Sequence, residues 1–315
     1  MTAPAVPTAD VAMRLAERAF GRKARSAERF VTGMMHYVFE VELADRLRVV
    51  VRANTANRRA IVRDAALLSK QLRPVGVPLP AILAEDLDGP FPHLILERLP
   101  GTDLGRIIDT LPTAKLESIA ERIAAMQAIV AQLPSAGRYG YAATPAAASH
   151  ERWSGVLDQL LDRSARRIAA AGLFGAGPVE AVASLIRRER GILDALPATP
   201  FLHDTTTKNV IVTASGELSG IVDVDDLCFG DPRFTPALTL ASLIASSDST
   251  FYVEAWMRAA GYADDRIFRL YVAHNLVGFM AEHGQTFNGN PLPSNIGDRN
   301  HLLAQFNETL QRAQR

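Results

Sequence analysis

The 315-residue chain has one cysteine, Cys228. A single thiol excludes an intramolecular disulfide framework and any cysteine-rich metal site, and it fits a reducing, cytoplasmic setting. There is no surplus of charge of either sign, since 34 Lys and Arg stand against 34 Asp and Glu. That balance gives no electrostatic reason to expect a nucleic-acid or anionic membrane partner. No uninterrupted apolar run approaches the roughly 20 residues that a membrane-spanning helix needs. The opening MTAPAVPTAD has neither a charged n-region nor an apolar h-region, so it does not read as a secretory signal. Several motifs are absent as well. There is no Gly-x-Gly-x-x-Gly loop, no His-Arg-Asp and no Asp-Phe-Gly, which weighs against a protein kinase. No tight cluster of His and Asp ligands is present, which weighs against a metal-dependent hydrolase. His274 and His283 are nine residues apart, which is not a zinc spacing.

The composition is that of a globular chain, with 48% apolar and 22% charged residues. Its length allows two lobes. Thr8 or Asp10 can cap a first helix that runs to Phe20 and ends at Gly21. Val31 to Leu43 and Leu47 to Arg52 read as strands joined by a turn at Ala44-Asp45-Arg46. Residues 59–73 place Ile61, Val62, Ala65, Leu68 and Leu72 on one helical face. Two further strands are expected at 81–85 and 93–97, with Leu87-Asp88-Gly89-Pro90 turning between them. Leu99-Pro100-Gly101 then breaks regular structure, and the remainder is mainly helical. Helices are expected at 116–133, 153–171, 179–196, 235–245, 251–260, 266–281 and 300–313, with one strand pair between Asn209 and Asp223. The division is therefore a β-rich part at 1–97 and a helical part at 98–315. Trp153, Trp256, Phe268, Tyr271 and Phe279 are expected in the core rather than in a stacking platform.

The chemically informative stretch is 201–223, Phe-Leu-His-Asp-Thr-Thr-Thr-Lys-Asn followed by a hairpin that ends in Val222-Asp223. Ser215-Gly216 suits a two-residue hairpin loop. In that register Ala214 faces Glu217, and Asn209 lies opposite Val222, one residue from Asp223. A carboxamide and a carboxylate then meet at the open end of the hairpin, and both are oxygen ligands suited to Mg²⁺. Asp204 sits five residues before Asn209, in the loop entering the hairpin. Phosphoryl transfer needs phosphate charge neutralised and an attacking hydroxyl oriented, and this grouping offers residues for both tasks.

This segment resembles the aminoglycoside phosphotransferase and choline kinase family, which shares the protein kinase fold. That family carries His-Gly-Asp, four residues, Asn, a hairpin, Ile-Asp and then Gly-Asp-Pro. Here the sequence has His203-Asp204, four residues, Asn209, the hairpin, Val222-Asp223 and Gly230-Asp231-Pro232. There are two departures. The glycine between His and Asp is missing, and Thr-Thr replaces the family's His-Pro inside the loop. The resemblance implies an α+β, two-lobed protein-kinase-like fold with a small β-rich N-lobe and a larger helical C-lobe. It implies Asp204 as catalytic base, Asn209 and Asp223 as Mg²⁺ ligands, and a structural role for Asp231. Asp225 falls where family members often have an acidic residue.

By the same resemblance, Arg52 would contact the nucleotide phosphates and pair with Asp64 on the following helix. Gly33, within Thr32-Gly33-Met34-Met35-His36, would form the turn over the phosphates. Glu97-Arg98-Leu99 would be the hinge meeting the nucleobase. The expected activity is ATP- or GTP-dependent phosphorylation of a small-molecule alcohol. The alternatives are a non-catalytic nucleotide-binding regulator on the same fold and an aminoglycoside or macrolide kinase. From Arg233 onward, seven basic residues balance seven acidic ones. A polycationic drug needs several carboxylates to replace its water and counterions, so a neutral or singly charged alcohol is the expected substrate.

Overall fold

The structure, a computed structural model, describes residues 6–30, 35–287 and 289–314. The turn proposed around Gly33 lies outside the described residues. The chain divides into two compact units. The first comprises Met1–Pro100, Gly220–Asp225 and Thr286–Pro291, and the second comprises Gly101–Ser219, Asp226–Gln285 and Leu292–Arg315.

In the first unit, α1 (Ala9–Phe20) starts where the Thr8 hydroxyl accepts from Val11 N at 3.3 Å, and it stops at Gly21 in the left-handed region. β1 (Ala24–Arg29), β2 (Tyr37–Leu43) and β3 (Arg48–Ala53) follow, then α2 (Arg59–Leu72), β4 (Ile82–Asp86) and β5 (His93–Glu97). The five strands form one antiparallel sheet in the order β1-β2-β3-β5-β4. The two-residue period of a strand sends Phe39, Val41 and Leu43 of β2, and Val49, Val51 and Ala53 of β3, to one face. There they form a core with Ile95 and with Ala12, Leu15 and Ala16 of α1. The alternate residues of β3 include Arg52, which lies opposite Val38 and Leu94. Leu94 packs with Val62, Ala65 and Ala66 of α2.

The second unit opens at Gly101, whose φ of +106° suits only glycine and where a Cβ would lie 2.0 Å from the Val212 carbonyl oxygen. Its elements are β6 (Thr102–Asp103), α3 (Thr113–Val130), β7 (Gly140–Ala142), α4 (Trp153–Ala171), α5 (Gly177–Ala195) and β8 (Thr199–Phe201). Next come β9 (Val210–Val212), β10 (Leu218–Ile221), β11 (Leu227–Gly230), α6 (Phe234–Ser246), α7 (Phe251–Ala260) and α8 (Arg266–Met280). The hairpin β12 (Thr286–Phe287) and β13 (Asn290–Pro291) is counted with the first unit, and α9 (Ile296–Gln314) closes the chain in the second. The boundary between the units falls inside β10. α8 is apolar nearly all round, and Phe268, Leu270, Tyr271, Val272 and Leu276 are almost fully buried. A helix of that kind belongs at the centre of its neighbours, and α4, α5, α6 and α9 pack on it. Two small sheets accompany the helices, β10-β9-β6 and β7-β11-β8. Trp153, Trp256, Phe268 and Tyr271 are core residues, as expected, whereas Phe279 is only partly buried. Among the described residues no helix is long and apolar enough to cross a membrane.

Candidate active site

In the first unit the site is built around Arg52. Its place on β3 buries the side chain, and the charge is met by two carboxylates. The guanidinium forms an ion pair with Asp223 and lies 2.7 Å from Asp225. Burial by itself lowers the Arg52 pKa, but Asp225 and Asp223 outweigh it and raise the pKa above its ordinary value. Asp225 also holds His36, at 2.8 Å from Nε2. Asn54 Nδ2 lies 3.2 Å from His36 Nδ1. An amide can only donate there, so Nδ1 accepts and the proton that faces Asp225 is on Nε2. Asp223 has a φ of +65°, a conformation that Asp tolerates better than most residues and that often marks functional positions. The expected pair between Arg52 and Asp64 is not made. Asp64 is exposed on α2, and Asp225 occupies the carboxylate position at Arg52. The Asp64 pKa is raised, first by partial burial and then by the like charge of Asp225. Glu97 ends β5, and its carboxylate accepts from Ala81 N at 3.1 Å. Leu99 is buried, and Arg98 pairs with Glu40 at 2.6 Å.

In the second unit Asp204 and Asn209 sit in the loop between β8 and β9. Asn209 Nδ2 donates to the Asp204 carbonyl oxygen at 2.8 Å, and Asn209 N donates to Thr206 O at 2.9 Å. These bonds tie the two ends of the loop together and leave Asn209 Oδ1 as the acceptor. The three threonines, Thr205, Thr206 and Thr207, are all buried. Gln127 of α3 anchors the loop base. Its Oε1 accepts from Leu202 N at 3.0 Å, and its Nε2 donates to Leu202 O at 2.8 Å and to Thr205 Oγ1 at 3.0 Å. Thr235 Oγ1 adds a bond to Leu202 O at 2.9 Å. So the Thr-Thr that departs from the family pattern is packed, and Thr205 supplies an acceptor that the loop uses. His203 Nδ1 lies 3.2 Å from Asp226, within ion-pair range but off the direction of a hydrogen bond. The ring meets Tyr141 edge-on, with centroids 4.8 Å apart.

The β9–β10 loop differs from the two-residue reading. Thr213 N bonds Glu217 O and Gly216 N bonds Thr213 O, both at 2.9 Å. The loop is therefore Ala214-Ser215-Gly216, with Gly216 at φ +76°. The extra residue moves the register by one, so the pairing that put Asn209 opposite Val222 does not follow. Asp231 is structural, as expected. It is buried, accepts from Arg233 N at 3.0 Å at the start of α6, pairs with the Arg233 guanidinium and accepts from Tyr271 OH at 2.9 Å. Trp153 Nε1 donates in turn to Tyr271 OH at 2.8 Å. Gly230 lets Trp153 in, since a Cβ there would lie 2.3 Å from its ring. Sequence reasoning missed His36, Asn54 and Gln127. A lone His, Asn or Gln carries no pattern, and only the tertiary partners reveal what each does. Among the described residues no group of three or more His, Cys, Asp and Glu is arranged to hold a metal.

An antiparallel five-stranded unit, followed by a helical unit that carries an Asp–Asn loop, defines a protein-kinase-like fold. Residues 26–271 match the model of the phosphotransferase enzyme family, and the chain belongs to that family. Among solved structures it is similar to aminoglycoside phosphotransferase APH(4)-Ia in a ternary complex with ADP and hygromycin B, at 14% identity and TM-score 0.62, with 96% of each chain covered. It is also similar to a putative fructosamine-3-kinase from Thermobifida fusca, at 18% identity and TM-score 0.61, covering 98% of this chain and 99% of that one. A third, a putative fructosamine-3-kinase from Haemophilus somnus, shares 14% identity at TM-score 0.63, with 96% of each chain covered. No curated protein matches the sequence.

Proposed function

We propose that the protein transfers the γ-phosphoryl group of ATP or GTP to a hydroxyl of a small molecule. The observation that carries this reading is the Asp204–Asn209 loop, closed by the 2.8 Å bond from Asn209 Nδ2 to Asp204 O and anchored by Gln127. A general base must be held in place by groups that are themselves fixed. Asp204 takes the proton of the attacking hydroxyl, which makes the oxygen a better nucleophile as it bonds to phosphorus. Arg52 contacts the nucleotide phosphates, and residues 97–99 meet the nucleobase. Asn209 and Asp223 fit Mg²⁺ by their donor chemistry. Asn209 Oδ1 is left as an acceptor once Nδ2 is committed, and the Asp223 side chain is 45% exposed. Bound Mg²⁺ would neutralise phosphate charge. In this reading residues 1–97 serve the nucleotide phosphates, and residues 98–315 carry the catalytic loop and the substrate pocket.

Complexes of relatives support the nucleotide, since APH(4)-Ia was solved with ADP and hygromycin B. The test is a screen of ADP release from ATP and from GTP, with Mg²⁺ present, against sugars, amino alcohols, hydroxy acids, aminoglycosides and macrolides. Acceptor-dependent release with a phosphorylated product is expected. Nucleotide binding without turnover on any acceptor would favour a regulator instead.

A further inference from the structure

His36 stands directly before β2, and the strand ladder places it. Tyr37 faces Ala53 and Val38 faces Arg52, so one step further sets His36 opposite Asn54. The two-residue period puts Arg52 and Asn54 on the same face, with His36 across from Asn54. All three side chains are almost fully buried. Polar groups at that depth need partners. They find them in a ring that closes through Asp225, which belongs to the same unit. Asn54 Nδ2 lies 3.2 Å from His36 Nδ1, His36 Nε2 lies 2.8 Å from Asp225 Oδ2, and Asp225 Oδ1 lies 2.7 Å from Arg52. Arg52 is two residues from Asn54, which completes the ring.

The direction of the bonds is fixed from outside the ring. Asn54 Nδ2 also donates to the Met35 carbonyl oxygen at 3.1 Å, and Asn54 Oδ1 accepts from Thr55 N at 3.2 Å. These two bonds set the amide, and the amide sets the imidazole, which accepts at Nδ1 and donates from Nε2 to Asp225. Arg58 holds the Met35 carbonyl oxygen as well, at 2.8 Å. His36 therefore pins one oxygen of Asp225 from a rigid frame and leaves the other facing Arg52. The two carboxylates at Arg52 are not equivalent. The Asp225 side chain is 19% exposed and tied to His36, whereas that of Asp223 is 45% exposed. Without the bond from Nε2, Asp225 could turn toward a cation placed beside Asp223, two residues away, and Arg52 would lose a fixed partner. Asp64 of α2 is exposed and outside the ring.

We propose that His36 is a positioning residue for nucleotide binding: it holds Asp225 on Arg52 as a standing counter-ion and leaves Asp223 as the carboxylate for a metal-bound nucleotide. The proposal rests on the phosphoryl-transfer reading for the nucleotide, but its test needs no turnover. Imidazole nitrogen NMR of the full-length, ligand-free protein, with the His36 signals assigned by their loss in His36→Gln, is expected to show a proton on Nε2 and none on Nδ1. A proton on Nδ1 overturns the proposal. Mg–ATP is then titrated calorimetrically into the wild type, His36→Leu, His36→Gln and Asp64→Asn. His36→Leu is expected to weaken binding about tenfold, the effect of one charge-assisted hydrogen bond. His36→Gln, whose side-chain amide can still donate to Asp225, is expected to keep most of the affinity, and Asp64→Asn all of it. If His36→Leu does not fold, His36→Asn, polar but too short to reach Asp225, takes its place. Wild-type affinity in His36→Leu overturns the proposal. So does an equal loss in His36→Leu and His36→Gln, because packing alone would then be at work. A loss in Asp64→Asn as large as that in His36→Leu overturns it too, because α2 would then supply the counter-ion. No Mg–ATP binding by the wild type overturns this proposal together with the nucleotide reading. Binding that depends on His36, with no turnover on any acceptor, counts against the transfer reading alone.

Discussion

Asp204 and Gln127 show how one residue acts through another at this site. If Asp204 is the base, Asp204→Asn keeps the size of the side chain and removes its ability to accept a proton. Turnover on the true acceptor should fall by roughly 10²-fold or more, while ATP affinity stays nearly the same, because the phosphates are assigned to other residues. Steady-state kinetics with a nucleotide titration checks both, and undiminished kcat would remove Asp204 from the role. Gln127 never needs to meet the substrate. Its amide closes three bonds onto Leu202 and Thr205. Gln127→Leu keeps the volume and strands Leu202 N, a buried donor, at a cost of about 1–3 kcal/mol. Urea unfolding should register that loss, and kcat should drop more than nucleotide affinity because the loop that carries Asp204 loosens. An unchanged unfolding midpoint would show that the bonds do not hold the loop.

At the scale of elements, the long helices were legible because their apolar spacing is sustained over many residues. α4 and α7 run over 153–171 and 251–260, the ranges read from periodicity. β1 was not legible. Ala-Arg-Ser-Ala-Glu-Arg has no β-branched or aromatic residue, and it becomes a strand by pairing with β2. β7, β8 and β11 were missed for a related reason. They are three or four residues long, and each pairs with a strand distant in sequence, so no local alternation announces them. At the site, Asp204, Asn209 and Asp231 could be placed because the His-Asp, Asn and Gly-Asp-Pro spacing carries them. The partner of Arg52 could not, because choosing Asp225 over Asp64 depends on where a sheet and a later loop meet. α8 also contains a titrating group that no motif marks. His274 is buried, its Nε2 bonds the Leu157 carbonyl oxygen at 3.0 Å, and its pKa is lowered from 6.5 to about 4, mainly by burial. Below pH 6.5 the unfolded chain takes up a proton that the folded chain refuses until about pH 4. Stability from this group is therefore complete above the unfolded value and is lost as pH falls through that window, by on the order of 3 kcal/mol. Urea titrations from pH 7 to pH 4 should show a shallower decline for His274→Gln than for the wild type. Parallel declines would mean that His274 is already solvated in the folded chain.

For the molecule as a whole, net charge is zero and the sequence pI is about 7.1, so in the proposed reading a nucleotide would have to be attracted by local groups and not by a global field. The local groups are unequal. Arg52 is one buried cation already held by Asp223 and Asp225. A nucleoside triphosphate arriving alone would bring several negative charges toward a guanidinium that two carboxylates have neutralised, and the carboxylates would repel it. A bound divalent cation would supply the opposite charge. Asp223 and Asn209 Oδ1 would offer it oxygen donors, and Arg52 would then be free to meet a phosphate oxygen. ATP should accordingly bind much more weakly in EDTA than in Mg²⁺, and the difference should shrink in Asp223→Ala, where both the repulsion and the candidate ligand are gone. A ligand that binds only the folded chain at about 100 times its Kd adds roughly 2.7 kcal/mol to stability, so thermal unfolding gives a second readout. Mg–ATP should raise Tm, and ATP with EDTA should raise it little. Calorimetry and melting that give the same ATP affinity with and without Mg²⁺ would remove both Asn209 and Asp223 as metal ligands and leave Arg52 as the principal phosphate contact.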